Sequence, residues 1–167
     1  HRGGYGKITI KQGLASSSDI AIYKAMEIAF NGYTQAYYDQ LKDMGISNLD
    51  TPLQILTAYN SIANNKNNQA NIDSLKEALE YVVTDGLGQP ATSDKVQVAG
   101  KTGTVQLEDG SYIVEFCGYF PATAPQYSII VSIHKDGLPA SGGLMAGDVF
   151  KQITEYIFTY NKYFNSK

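Results

Sequence analysis

One cysteine, no tryptophan and few charges mark these 167 residues. A lone cysteine, Cys117, excludes an internal disulfide and a site of several thiolates around a metal. Its setting, Glu115-Phe116-Cys117-Gly118-Tyr119, reads as a strand, so the thiol is expected to be a small buried hydrophobe rather than a nucleophile. The two histidines, His1 and His134, have no partner at ligand spacing, so no metal site and no cofactor are expected. Charged residues make up 17% of the chain, the net charge is −3, and no run of lysines or arginines occurs. Nucleic-acid binding therefore lacks its electrostatic footprint. Uninterrupted apolar runs are short, which excludes a membrane-spanning helix and a signal peptide within these residues.

Hydrophobic residues are plentiful at 43%, which places the chain among globular proteins with one sizeable core. The chain begins at His1 without a methionine. We read it as a soluble piece of something longer, to which any anchor or export signal would belong.

Gly3 to Gly6 form a glycine-rich entry. From about Gln12 to Phe30 the pattern is helical and almost wholly apolar, which predicts a buried helix, interrupted at Ser16 to Asp19. Serine and aspartate favour helix caps, so a helix is expected to restart near Asp19. Tyr33 to Met44 reads as a helix stopped by Gly45. Thr51 as N-cap and Pro52 at the first helical position open a helix to about Ala63. Asn64 to Asn71 reads as a loop, Asp73 to Val83 as a helix capped by Asp73, and Asp85 to Pro90 as a turn.

The period then changes. Val96 to Gln106, Tyr112 to Phe120 and Tyr127 to His134 have strand character, with a hairpin turn at Glu108-Asp109-Gly110-Ser111. Gly137 to Gly143 is a loop. Val149, Phe150, Ile153, Ile157 and Tyr160 mark an amphipathic C-terminal helix. Residues 1–90 are thus mainly helical, and 91–167 hold a three-stranded antiparallel meander and a closing helix. The class is α+β.

The run Lys101-Thr102-Gly103-Thr104 is the most informative chemistry. On a strand it offers a cation for a carboxylate, two hydroxyls for hydrogen bonds, and a glycine that lets a peptide backbone approach. A phosphate loop is excluded: Lys95 stands where its first glycine belongs, and β-branched Thr104 and Val105 follow instead of a helix.

Five segments together resemble the C-terminal half of a class B penicillin-binding protein transpeptidase domain. They are Gly6-Lys7-Ile8-Thr9 through Ile20-Ala21, the run from Thr51-Pro52 to Asn64-Asn65, Val98 to Gln106, Phe116 to Ala122, and Gly142-Gly143 leading into Val149-Phe150-Lys151. The resemblance implies a serine β-lactamase-like fold with a five-stranded antiparallel sheet in the complete domain, of which three strands are expected here. It implies serine acyl transfer that cross-links peptidoglycan stem peptides, and acylation by β-lactams. It also implies a membrane-anchored parent with this domain on the periplasmic or extracytoplasmic side.

Carried over by position, Lys101, Thr102 and Gly103 match the Lys-Thr-Gly motif that binds the substrate's terminal carboxylate. The Thr104 backbone N–H would join the oxyanion hole. Ser17-Ser18-Asp19 falls where the family has Ser-x-Asn. Ser17 would relay a proton, and Asp19 replaces an asparagine; an ionised aspartate only accepts hydrogen bonds and would repel a substrate carboxylate. No Ser-x-x-Lys nucleophile motif precedes Ser17. The one match, Ser132-Ile133-His134-Lys135, lies in a strand pattern, where positions three apart face opposite sides. The family's first two strands and nucleophile helix are therefore expected to be missing, and this chain alone to be inactive. The missing strands would leave a sheet edge open to self-association.

Two other readings stand beside this one. A module without the nucleophile could sense β-lactams or muropeptides by reversible binding. A β-lactamase is the third reading, and the Thr51 to Asn65 run speaks against it.

Overall fold

The computed structural model describes residues 5–32, 34–43, 51–64 and 69–165. Its helices are α1 (Ile10–Ala15), α2 (Asp19–Phe30), α3 (Gln35–Asp43), α4 (Pro52–Asn64), α5 (Gln69–Thr84) and α6 (Asp148–Asn165). Its strands are β1 (Ala99–Gln106), β2 (Tyr112–Phe120) and β3 (Tyr127–Lys135). A 3₁₀ turn at Gln89–Ala91 follows α5, and a π-helical segment at Gly142–Gly147 precedes α6. The class is α+β, as the sequence predicts.

Local chemistry starts the helices. Thr9 and Thr51 each open a capping box: their hydroxyls accept from the amides of Gln12 and Gln54, whose side chains accept in return from the threonine N–H groups at 2.9 Å. Both pairs satisfy donors that a helix start leaves orphaned. Ser18 caps α2 by accepting from the Ala21 amide at 3.3 Å.

The strands form one antiparallel sheet in the order β1-β2-β3. The β1–β2 turn closes through Gly110 N–H donating to the Leu107 carbonyl, with Gly110 at φ +83°. The hairpin pairs Lys101 with Cys117, Thr102 with Phe116, Gly103 with Glu115 and Thr104 with Val114.

Alternation then sends the two sides of β2 into two cores. Phe116, Phe120 and Val131 pack with Val83, Val98, Ala146 and Phe150, which brings α6 onto one side. Tyr119 and Ala99 pack with Ile62, Ala63 and Leu79, which brings α4 and α5 onto the other. Five consecutive β2 residues, Phe116 to Phe120, are buried. Phe150 is fully buried and lies 4.7 Å from Phe116 and 6.1 Å from Phe120, centroid to centroid, in tilted and edge-on geometries.

The structure corrects several expectations. The apolar α2 is not buried: none of its residues falls in the core, and Ile20 and Ile28 are 71% and 88% exposed. It packs chiefly against short α1, through a close approach at Gly13, where an added Cβ would lie 2.6 Å from that of Ala21. Apolar composition permits burial but does not supply the element that buries. Helix α5 starts at Gln69, so Asp73 lies inside it rather than at its cap; low asparagine propensity is a weak prior that tertiary packing overrides. β1 starts at Ala99, and Val96 and Val98 enter the core as irregular chain. The expectations for Gly3, Gly4, Tyr33, Met44, Gly45 and residues 65–68 lie outside the described residues.

Replacing Phe150 by Ala removes the ring shared by Phe116 and Phe120. We expect a loss of about 3–5 kcal/mol in urea unfolding. A loss below about 1 kcal/mol would mean that α6 does not hold the sheet as described.

Candidate active site

Three short segments converge beside β1. The first is the loop between α1 and α2. There Ser17 N–H donates to the Leu14 carbonyl at 3.1 Å and Ser18 N–H to the Gly13 carbonyl at 2.9 Å. These two bonds form a Schellman motif, whose penultimate residue takes the left-handed conformation and is usually glycine. Here it is Ser17, at φ +49°. A side chain in that region costs roughly 1–2 kcal/mol, so a hydroxyl stands where backbone economy alone favours glycine.

The second segment is β1. Lys101 Nζ donates to Ser17 Oγ, a contact between residues 84 apart in the chain. It also donates to the Thr102 carbonyl at 3.0 Å and approaches Thr102 Oγ1 at 3.4 Å. Burial holds the Lys101 ammonium below the usual lysine value, and the charge of Asp19 opposes that shift. A lysine weakened as a cation and bonded to a hydroxyl can exchange a proton with it.

The third segment is the π-helical turn. Ser141 caps it by accepting from the Leu144 amide at 3.2 Å, and Gly142 N–H donates to Thr104 Oγ1 at 3.1 Å. A Cβ at Gly142 would lie 2.3 Å from the Gly103 carbonyl oxygen and 2.4 Å from that of Glu115. A Cβ at Gly143 would lie 2.1 Å from the Leu87 carbonyl oxygen. Only glycine lets this turn lie flat on the sheet. Leu87 N–H in turn donates to the Ala15 carbonyl at 3.0 Å, at the end of α1. Leu87 therefore links the Ser17 loop to the glycine turn beside Thr102.

Of the predicted site residues, Ser17 and Lys101 touch, and Thr102 completes the set around the ammonium. Asp19 opens α2 two residues beyond Ser17, exposed and not in ion-pair contact with Lys101. Thr104 faces the other side of β1 from Lys101 and Gly103, and its hydroxyl fastens the glycine turn. Ser132 is exposed on β3 opposite Glu115, and strand alternation turns Lys135 to the other side.

Two groups escaped the sequence reading. Leu87 gave no signal beyond lying in a turn. Glu115 lies opposite Gly103, its Oε2 3.7 Å from where a glycine Cβ would stand, and the hairpin register could have placed it there. Cys117 is buried, and burial pushes its thiol up to about 12, so it is no nucleophile near neutral pH. Among the described residues no cluster of metal-ligating side chains occurs. A cavity of about 400 Å³ lies nearby, lined by Tyr5, Gln12, Ser16, Tyr81 and Leu87 among others, but neither Ser17 nor Lys101 reaches it.

Comparison with known proteins gives one direction. The family model for the penicillin binding protein transpeptidase domain matches residues 24–155. That span includes Lys101 to Thr104 and starts after Ser17 and Asp19. Stage V sporulation protein D of Bacillus subtilis (strain 168) is 36% identical over 86 residues, 47% of this chain and 13% of that protein. A peptidoglycan D,D-transpeptidase FtsI homolog of Chlorokybus atmophyticus is 32% identical over 96 residues, 53% of this chain and 14% of that protein. The matches thus span a small part of these relatives' length. The transpeptidase domain of the FtsI4 D,D-transpeptidase from Legionella pneumophila superposes with a TM-score of 0.78 at 24% identity, covering 88% of this chain and 68% of that one. A peptidoglycan glycosyltransferase from Burkholderia ambifaria superposes at 0.75 with 19% identity, covering 96% and 66%.

Both Ser17→Gly and Ser17→Ala delete the hydroxyl, and only glycine relieves the left-handed backbone. Ser17→Gly is expected to exceed Ser17→Ala in stability by about 1 kcal/mol in thermal unfolding. Equal stabilities would remove the case for strain at this loop.

Proposed function

Because the chain belongs to the penicillin-binding protein transpeptidase domain family, we propose that it carries the carboxylate-binding wall and proton relay of a peptidoglycan D,D-transpeptidase, with the nucleophile supplied by residues outside these 167. The observation that carries this reading is the hydrogen bond from Lys101 Nζ to Ser17 Oγ. It joins the two motifs that a transpeptidase needs side by side.

The chemistry follows from the donor order. The Lys101 ammonium donates a hydrogen bond to the Ser17 oxygen's lone pair, so the Ser17 hydroxyl hydrogen is left free to point elsewhere. A stem peptide whose terminal carboxylate lies against Lys101 and the Thr102 hydroxyl brings its scissile amide beside Ser17. Ser17 then hands its own proton to the leaving amine and is refilled from Lys101. The lowered basicity of Lys101 favours that refilling. Gly103 lets the peptide lie along β1, and the Thr104 N–H is the proposed oxyanion donor. Such a donor contributes about 10²–10³ in rate. β-Lactams enter the same wall through their carboxylate. The parent is proposed to be membrane-anchored with this domain outside the cytoplasmic membrane; among the described residues no helix is long and apolar enough to cross a membrane.

Ser17 is a relay in this scheme and has no activating base of its own in Ser-x-x-Lys spacing. The intact mass of the chain is therefore expected to stay unchanged in excess benzylpenicillin. A stable adduct of one penicillin would overturn the assignment of the nucleophile to residues elsewhere.

Among the described residues nothing pairs with the outer edges of β1 and β3. Unpaired edges template association, so the chain is expected to dimerise as its concentration rises in light scattering. A monomer at every concentration would remove this part of the reading.

A further inference from the structure

The cavity beside α1 lies outside the proposed wall. It measures about 400 Å³, a volume that suits a small ligand, and Tyr5, Gln12, Asp85 and Leu87 on its wall are exposed to solvent. A packing fault is closed and apolar, whereas this hollow is open and of mixed polarity.

Its chemistry narrows the occupant. Asp85 is the one charged side chain on the wall, so an anion is repelled. The Lys11 ammonium already stands 4.7 Å from the centroid of the Tyr81 ring, so a second cation there meets like charge. A purely apolar ligand would strip water from the Asp85 carboxylate, the Gln12 amide and the Ser16 hydroxyl and put nothing in its place. What remains is a neutral ligand with apolar faces and a polar edge.

The hydrogen-bonding groups are of both kinds. Gln12 Oε1 accepts from the Thr9 N–H at 2.9 Å, which leaves the side-chain NH2 as donor. Ser16 Oγ donates to the Gln12 carbonyl at 2.8 Å, which leaves its lone pairs as acceptors. Asp85 accepts from Thr84 Oγ1 through one oxygen and keeps the other. A hydroxyl both donates and accepts, so the hydroxyls of a sugar match such a set. Tyr5 and Tyr81 add aromatic rings, whose negative faces attract the weakly positive C–H groups on the flat side of a sugar.

We propose that this cavity is a saccharide subsite for an N-acetylated hexosamine ring of the peptidoglycan strand, an assignment that rests on the proposed function for the identity of the sugar. The acetamido group adds an acceptor for the Gln12 NH2 and a donor for Asp85. Ser16 lines the cavity and precedes Ser17 in the chain; Leu87 lines it too, and its N–H holds the Ala15 carbonyl. A glycan seated here lies next to the loop of the relay serine, as a polymer that carries both sugar and stem peptide requires.

The test titrates the 167-residue chain by NMR with tri-N-acetylchitotriose and, separately, with N-acetyl-D-alanyl-D-alanine. The sugar should shift the Ser16, Gly86 and Leu87 amides to saturation, and Tyr81→Ala and Tyr5→Ala should each weaken it about tenfold. Tyr5 is 44% exposed, so Tyr5→Ala keeps the fold even where the loss of Tyr81 disturbs it. Asp85→Asn keeps an acceptor and removes the charge, and sugar affinity should stay within about twofold. Shifts that do not saturate, or a sugar affinity that Tyr5→Ala and Tyr81→Ala leave unchanged, would overturn the subsite. The dipeptide reports instead at the Thr102 and Gly103 amides. Dipeptide binding without sugar binding overturns the subsite and leaves the wall standing. Sugar binding without dipeptide binding upholds a saccharide site and removes the wall.

Discussion

Double-sided burial of β2 is the constraint on which the rest of this structure depends. Phe116 and Phe120 commit one side to Phe150 and α6, and Tyr119 commits the other to α4 and α5. A slip of one residue would exchange the two cores, so the register is strongly held. β1 inherits that register through the hairpin. Lys101 must then share a side with Cys117, and Thr102 must share one with Phe116. The direction in which the ammonium leaves the sheet is thus decided by where two phenylalanines are buried. The same burial shows its cost at Tyr119 and Thr154, whose hydroxyls are buried with no hydrogen-bond partner among the described residues.

The site concentrates departures from local ease. Ser17 occupies a left-handed position that suits glycine, and Lys101 is half-buried, which penalises its charge. Each choice lowers stability, and each is offset by the frame around it: the Schellman bonds, the Leu87 link to α1, and the glycine turn fastened to Thr104. Strain held by a rigid surround is the usual condition of a site prepared for chemistry. The hydrogen bond between Ser17 and Lys101 is where these two departures meet.

Much of the fold was legible before any coordinates. Thr51 and Gln54 announce their helix because a capping box is a local device, complete within four residues. Glu108 to Ser111 announce the hairpin for the same reason, and Tyr112–Phe120 emerges with the predicted bounds. Long-range effects were less legible. The apolar α2 reads as buried, yet burial needs a neighbour, and the described neighbour is the short α1. The start of α5 was misplaced because asparagines weigh against a helix locally, while packing onto the sheet extends it. In the site, the residue types at Ser17, Asp19 and Lys101 could be singled out, whereas the second duty of Thr104 could not, because it rests on a contact 38 residues away.

The sequence by itself determined the starts of α2 and α4, the hairpin, the α+β class and the family, because these rest on short-range caps, turn chemistry and runs of residue types. It also determined which side chains could hold a carboxylate or pass a proton. Tertiary structure alone decided that Ser17 and Lys101 touch, since residues 84 apart meet only through the packing of α1 on α5 and of α5 on β1. It alone decided that Gly142 and Gly143 lie flat against β1. Contacts of that kind depend on the whole set of buried surfaces, and no local stretch of chain contains them.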